Sequence, residues 1–152
     1  MAISLLEHGD VVALGYDSAT GERGFLCKMV NRTGHTSVKG ELIAGSPSAD
    51  KEAVLQSSEF DTIGIVQEAS VVEGSEMWVW MPGSICQVLF KNSTASTRGN
   101  VALAADTDGR AIDVAVPSSN PVVAEHFKEI GHVLETKSSG TNVLVLVATH
   151  YN

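Results

Sequence analysis

A chain of 152 residues suits one domain or two very small ones, and at that size roughly 68–70% of the unfolded surface can be buried without a metal or disulfide staple. Apolar residues make up 43% and charged residues 18%, a packed globular composition with little charge to cover its surface, so some surface is expected to be shared with a partner. The net charge is −8 and the ten Lys and Arg are scattered, which argues against nucleic-acid binding. MAISLLEHGD lacks the basic start and long apolar stretch of a signal peptide, and no segment reaches the ~18 apolar residues of a membrane span.

In chain order, short Val, Ile and Leu runs read as strands, each bounded by Gly, Ser, Asn or Asp. They are residues 11–16, 24–30, 38–44, 53–56, 62–68, 76–81, 84–90, 100–104, 110–114, 129–135 and 142–149. Turn signals stand between them at Gly21, Gly74, Pro82-Gly83, Asp108-Gly109 and Gly140. Asn120-Pro121 fits an N-cap with proline at the first helical position, so one or two helical turns are expected over 122–127. The expected fold class is all-β: a sandwich or barrel, the β-tulip form among the options, with at most one short helix.

Two strands carry apolar residues on both faces and are therefore expected to be central: Ile85 to Phe90 and Met77 to Met81. The apolar run Val143 to Ala148, close to the last residue, must likewise be covered on two faces. A tryptophan indole usually seeks an acceptor, which points to one of Trp78 and Trp80 at an edge or subunit contact. Cys27 and Cys86 both lie in apolar runs and read as buried free thiols.

The sequence contains itself twice. VKGELIA (38–44) parallels TRGNVALA (97–104), with Gly40 on Gly99. TIGIVQE (62–68) parallels EIGHVLE (129–135), with Gly64 on Gly131 and Glu68 on Glu135. GSEMWVW (74–80) parallels GTNVLVL (140–146), with Gly74 on Gly140. The expected organisation is an N-terminal segment, 1–33, and a β-domain, 34–152, made of two similar units at about 34–83 and 94–152.

Motifs that would carry a reaction are missing. There is no nucleophile elbow, phosphate loop or dinucleotide fingerprint. Asp106-Thr107-Asp108-Gly109 lacks the later acidic ligand of a calcium loop and reads as a turn. Glu68 and Glu135 could face each other across a pseudo-dyad, but solvated strand ends are the expectation. His126, His132 and His150 could meet in a zinc site only after folding; their spacing matches neither a helical nor a strand ligand pair, and separate histidines are expected. The sequence therefore predicts no enzyme, no catalytic residue, no cofactor and no metal, and a rigid β body that binds or holds something.

Four stretches, NRTGHTSVKGELIA (31–44), TIGIVQEASVVEGSEMWVWMPGSICQVL (62–89), STASTRGNVALAADTDGRA (93–111) and EHFKEIGHVLETKSSGTNVLVLVATHYN (125–152), carry a family likeness. In pattern and order the chain resembles the head-decoration, or capsid-cement, proteins of tailed bacteriophages. The resemblance implies a structural virion protein, made in the host bacterial cytoplasm and bound to the outer capsid surface. It implies a homotrimer that bridges neighbouring major capsid protein subunits and braces the head against DNA pressure, with no nucleic-acid or membrane partner. Multivalent attachment would make modest contacts strong. The expected capsid contacts are Ile3, Leu5 and Leu6, apolar residues ahead of any turn signal, and Trp78 or Trp80 is expected at a subunit contact. A tail or baseplate component and a carbohydrate-binding virion module are the alternatives; the latter would need exposed aromatics, which make up only 5% of the chain.

Overall fold

The computed structural model describes residues 6–8, 12–57, 61–105, 107–116 and 123–150. Twelve strands and one helical turn alternate along them: β1 (Leu6–His8), β2 (Val12–Asp17), β3 (Glu22–Asn31), β4 (Leu42–Gly45), β5 (Glu52–Leu55), β6 (Gly64–Val66), β7 (Glu76–Trp80), β8 (Ile85–Leu89), β9 (Val101–Ala104), β10 (Ala111–Val114), α1 (Val123–His126), β11 (Glu129–Val133) and β12 (Leu144–Thr149). Each of the eleven expected strands is present. The short β1 is an addition. Of the expected helix, the proposed cap Asn120 and Pro121 lie outside the described residues.

All twelve strands belong to one hydrogen-bonded sheet, in the order β10-β9-β11-β12-β8-β3-β5-β4-β6-β7, with β1 and β2 attached beside β3. The sheet closes on itself. β3 pairs antiparallel with β7 along Leu26–Val30 and parallel with β5 at Val30 and Asn31. The circuit β3-β5-β4-β6-β7 is therefore a five-stranded barrel, and closure removes its edges. Its inner face carries Ile43, Ala53, Val66, Met77 and Val79, with Met29 against them.

The second half repeats the path. β9 pairs with β10 and β11, and β11 with β12, as β4 pairs with β5 and β6, and β6 with β7. β8 pairs with β12 as β3 pairs with β7, and a parallel bridge from Phe90 to Ala111 matches the parallel join of β3 to β5. Each ring thus uses a strand, β3 or β8, that precedes the unit boundary expected from the sequence. The two rings meet where Arg23 faces Ile85.

Detailed hydrogen bonds recur as well. Gly40 N donates to Val66 O, and Gly99 N to Val133 O, at 2.8 and 2.9 Å. Ser37 Oγ donates to Glu68 O, and Ser96 Oγ to Glu135 O. Gly40 and Gly99 both sit at positive φ, 86° and 90°. The third sequence match has a different register in space. Ile65 faces Trp80 and His132 faces Ala148, so Trp80 corresponds to Ala148, two residues from the alignment of Gly74 with Gly140.

A larger core joins the second ring to the outer face of the first. It holds Val145 and Val147 of β12, Cys86 and Val88 of β8, and Leu26, Leu42, Ile65 and Trp80 from the first ring. β12 lies between β11 and β8. Its Val145, Val147 and Thr149 are buried, and Leu144, Leu146 and Ala148 on the other side are half-buried. That two-sided cover explains the near-terminal apolar run.

One buried ion pair ties these parts together. The Glu22 carboxylate, wholly buried, meets the Lys39 ammonium, accepts a hydrogen bond from Thr20 Oγ1 at 2.9 Å and accepts the Gln87 N–H at 3.0 Å. It links β3, the turn before β4, and β8.

Candidate docking face

The hairpin β2–β3 adds β2 alongside β3 of the first ring and has an inverted pattern on its outer side. Along β2, Ala13, Gly15 and Asp17 are buried, while Leu14 is 44% and Tyr16 50% exposed. Across the ladder, Leu14 faces Phe25, itself 52% exposed, and Tyr16 faces Arg23. A strand alternates its side chains between faces, so three large apolar or aromatic side chains project from one surface with an arginine beside them. Scattered apolar exposure is ordinary, but a contiguous cluster marks an interaction surface. β1 pairs antiparallel with β2, and Leu6 is the backbone partner of Leu14.

The underside of the hairpin is fixed by close contact. A Cβ at Gly15 would stand 2.7 Å from both Leu26 Cδ1 and Trp80 Cη2, so only glycine lets the indole lie against this backbone. The hairpin bend is held by Asp17, whose Oδ1 accepts the Ala19 N–H at 2.9 Å.

The predicted contact residues are distributed as follows. Ile3 and Leu5 lie outside the described residues, and Leu6 is in β1, next to the exposed row. Trp80 has no accessible surface and belongs to the core, which corrects the expectation that it touches another subunit. Among the described residues no acceptor meets its buried Nε1, so the usual demand of an indole for a partner misled the sequence reading here. Trp78 is half-buried, with Lys28 Nζ 5.1 Å from its ring centroid, and its backbone N–H donates to Glu68 at 3.2 Å. The exposed residues Leu14, Tyr16 and Phe25 were not singled out from sequence. The available signal was the strand Val-Ala-Leu-Gly-Tyr, whose small residues alternate with large ones.

Glu68 and Glu135 do not form a facing pair of acids. Each clasps a neighbouring strand, Glu68 at Trp78 N and Glu135 at Leu146 N, the latter at 2.7 Å. The three spaced histidines, in contrast, converge. His126 Nδ1, His132 Nε2 and His150 Nε2 lie 3.5, 3.8 and 3.0 Å from the carboxylate of Glu129. Cys86 is buried and Cys27 half-buried, both free, and burial pushes each thiol's pKa up.

Fold and surface together define an all-β, doubly ringed protein with an apolar outer hairpin. Among solved structures it is similar to the N base of the head fiber gp8.5 of bacteriophage phi29. The likeness has a TM-score of 0.53 at 15% identity and covers 84% of this chain and 97% of that one. No protein-family profile matches the chain, and no curated protein matches it. The likeness is one of fold. Among the described residues no helix is long and apolar enough to cross a membrane.

Proposed function

We propose that this protein is a structural component of a bacteriophage virion: a decoration or cement protein on the outer capsid surface. As a homotrimer it bridges neighbouring capsid subunits and stabilises the head against internal pressure. The observation that carries this reading is the exposed row Leu14, Tyr16 and Phe25 on a fold shared, over 84% of the chain, with a phage head-fiber base. Burying such a row against a partner removes apolar surface from water, and aromatic side chains are favoured anchors at interfaces. The adjoining β1 and the segment before it, with Ile3, Leu5 and Leu6, extend the contact. A half-buried Trp78 is retained as a subunit contact.

The test uses purified full-length protein and capsids that lack it. The protein should co-sediment with the heads, run as a trimer in analytical ultracentrifugation, and raise the temperature at which the heads release DNA. Leu14→Asp with Phe25→Asp should leave the circular-dichroism spectrum unchanged and weaken head binding at least about tenfold, since each buried anchor contributes more than ~1 kcal/mol. Deleting residues 2–9 should abolish binding. Undiminished binding by both variants would refute the docking face. Attachment to tails in place of heads, seen by electron microscopy, would replace the decoration role with a tail role.

A further inference from the structure

The convergence of histidines on Glu129 is produced by backbone geometry. In a regular strand, residues three apart point to opposite faces. In β11, however, Glu129 faces Leu103 and Gly131 faces the next residue, Ala102, so one extra residue is inserted between them. That bulge turns Glu129 and His132 to the same side. Gly131 permits it: its φ is +154°, and a Cβ there would lie 2.1 Å from Ala148 O. Across the ladder His132 faces Ala148, and His150 lies two residues further along, on the same face. His150 N donates to Ile130 O at 3.2 Å, which holds His150 beside β11.

We propose that Glu129, His132 and His150 form a binding site for a divalent transition-metal ion of the zinc class. One ligand atom from each lies within 4.8 Å of the other two. Glu129 Oε1 is 3.0 Å from His150 Nε2 and 3.8 Å from His132 Nε2. Ligand atoms around a tetrahedral zinc stand about 3.3 Å apart, given metal–ligand distances of about 2.0–2.1 Å, so these separations bracket what an ion requires. The imidazole rings already lie side by side, centroids 5.3 Å apart and tilted by 41°. The second carboxylate oxygen faces His126 Nδ1 at 3.5 Å, a contact that orients Glu129 from α1. Two imidazoles with one carboxylate favour zinc, cobalt, nickel or copper over calcium or magnesium, which prefer oxygen alone. Glu129 is mostly buried and His132 largely exposed, so the fourth position opens to solvent or to a group from another molecule. The site departs from the sequence-based expectation of no metal, and it is independent of the proposed capsid role.

The experiment is titration of the full-length protein with zinc chloride by calorimetry and with cobalt chloride by absorption. Zinc should bind saturably, one ion per chain, and raise the melting temperature. Cobalt should give the intense visible bands of a tetrahedral site, and excess magnesium should not displace it. Outer partners of a metal ligand are worth about 10–100-fold in affinity, so losing a direct ligand in His132→Ala, His150→Ala or Glu129→Gln should weaken binding by about 100-fold. His35→Ala, which removes a ring that contacts Glu41 and Thr36 and none of the three ligands, should bind as the parent does. Absence of saturable binding, displacement by magnesium, or equal losses in His35→Ala would each overturn the proposal. The cobalt spectrum of the parent protein reads the ligand set directly, whatever the stability of the variants.

Discussion

Removing the Lys39 side chain is a sharp test of how the two rings are held together. Glu22 has no accessible side-chain surface, and Lys39 retains 13%. Lys39→Ala leaves a carboxylate buried beside the Gln87 backbone with its cation gone. Breaking a buried pair from one side costs about 3–5 kcal/mol, because the remaining charge stays desolvated. For a chain of this length each kcal/mol lowers the melting temperature by about 2–4 °C, which gives a fall of roughly 6–20 °C. Thr20 Oγ1 and Gln87 N remain as donors to Glu22 and place the result toward the lower end. Replacing both members, Glu22→Leu with Lys39→Met, should recover much of the loss, since apolar substitutes for a buried pair are often neutral or stabilising. Thermal melting and urea unfolding of the parent, the single variant and the double variant supply the comparison. A single variant that melts within about 1 °C of the parent would show that Glu22 and Lys39 carry no linked burial cost, and the reasoning would fail.

Three further outcomes are expected. Gly131→Ala should prevent soluble folding, because its Cβ would collide with Ala148 O in a strongly twisted bulge; Gly34→Ala, at φ +86° with open space around it, should cost only about 1–2 kcal/mol in urea unfolding. Burial, opposed by the nearby His35 and the Val38 N–H, raises the pKa of Glu41 above its ordinary 4.5. The folded chain therefore binds this proton more tightly than the unfolded chain does. Glu41 destabilises the fold once pH exceeds its raised folded value, and the penalty vanishes as pH falls below 4.5. Glu41→Gln should accordingly be as stable as the parent or more so at neutral pH, with the gap closing in acid, as urea midpoints will tell. Finally, Cys27 should react with iodoacetamide well before Cys86, which is fully buried with its thiol held protonated; peptide mass mapping after timed labelling reads this, and equal rates would contradict it.

Much of the architecture was legible along the chain because its signals are local. Alternating apolar residues and Gly, Asn or Asp breakers mark each strand from β2 to β12 within a few residues. The internal matches Gly40 with Gly99 and Gly64 with Gly131 also lie in equivalent ladders: Gly40, Gly99 and Gly131 hold positive φ, and Gly64 admits the close approach of Val79 and Trp80. The third match slipped by two residues because a turn length can change while a strand pattern stays the same; only the pairing of Ile65 with Trp80 and His132 with Ala148 sets that register. Trp80 was misread for a related reason. Nothing near it in sequence announces that Gly15 leaves room for its ring.

From its residues alone, this protein is an all-β body with two similar halves and no recognised reaction motif, because period, composition and turn chemistry are properties of short segments. Tertiary structure decided the rest. It closed β3 onto both β5 and β7, set Leu14, Tyr16 and Phe25 on an outer face, and gathered three histidines on Glu129, His132 through one inserted residue, His150 through the β12 ladder and His126 from α1. Each depends on which distant backbones hydrogen-bond and in what register, and a shift of one residue sends every later side chain to the opposite face of the sheet.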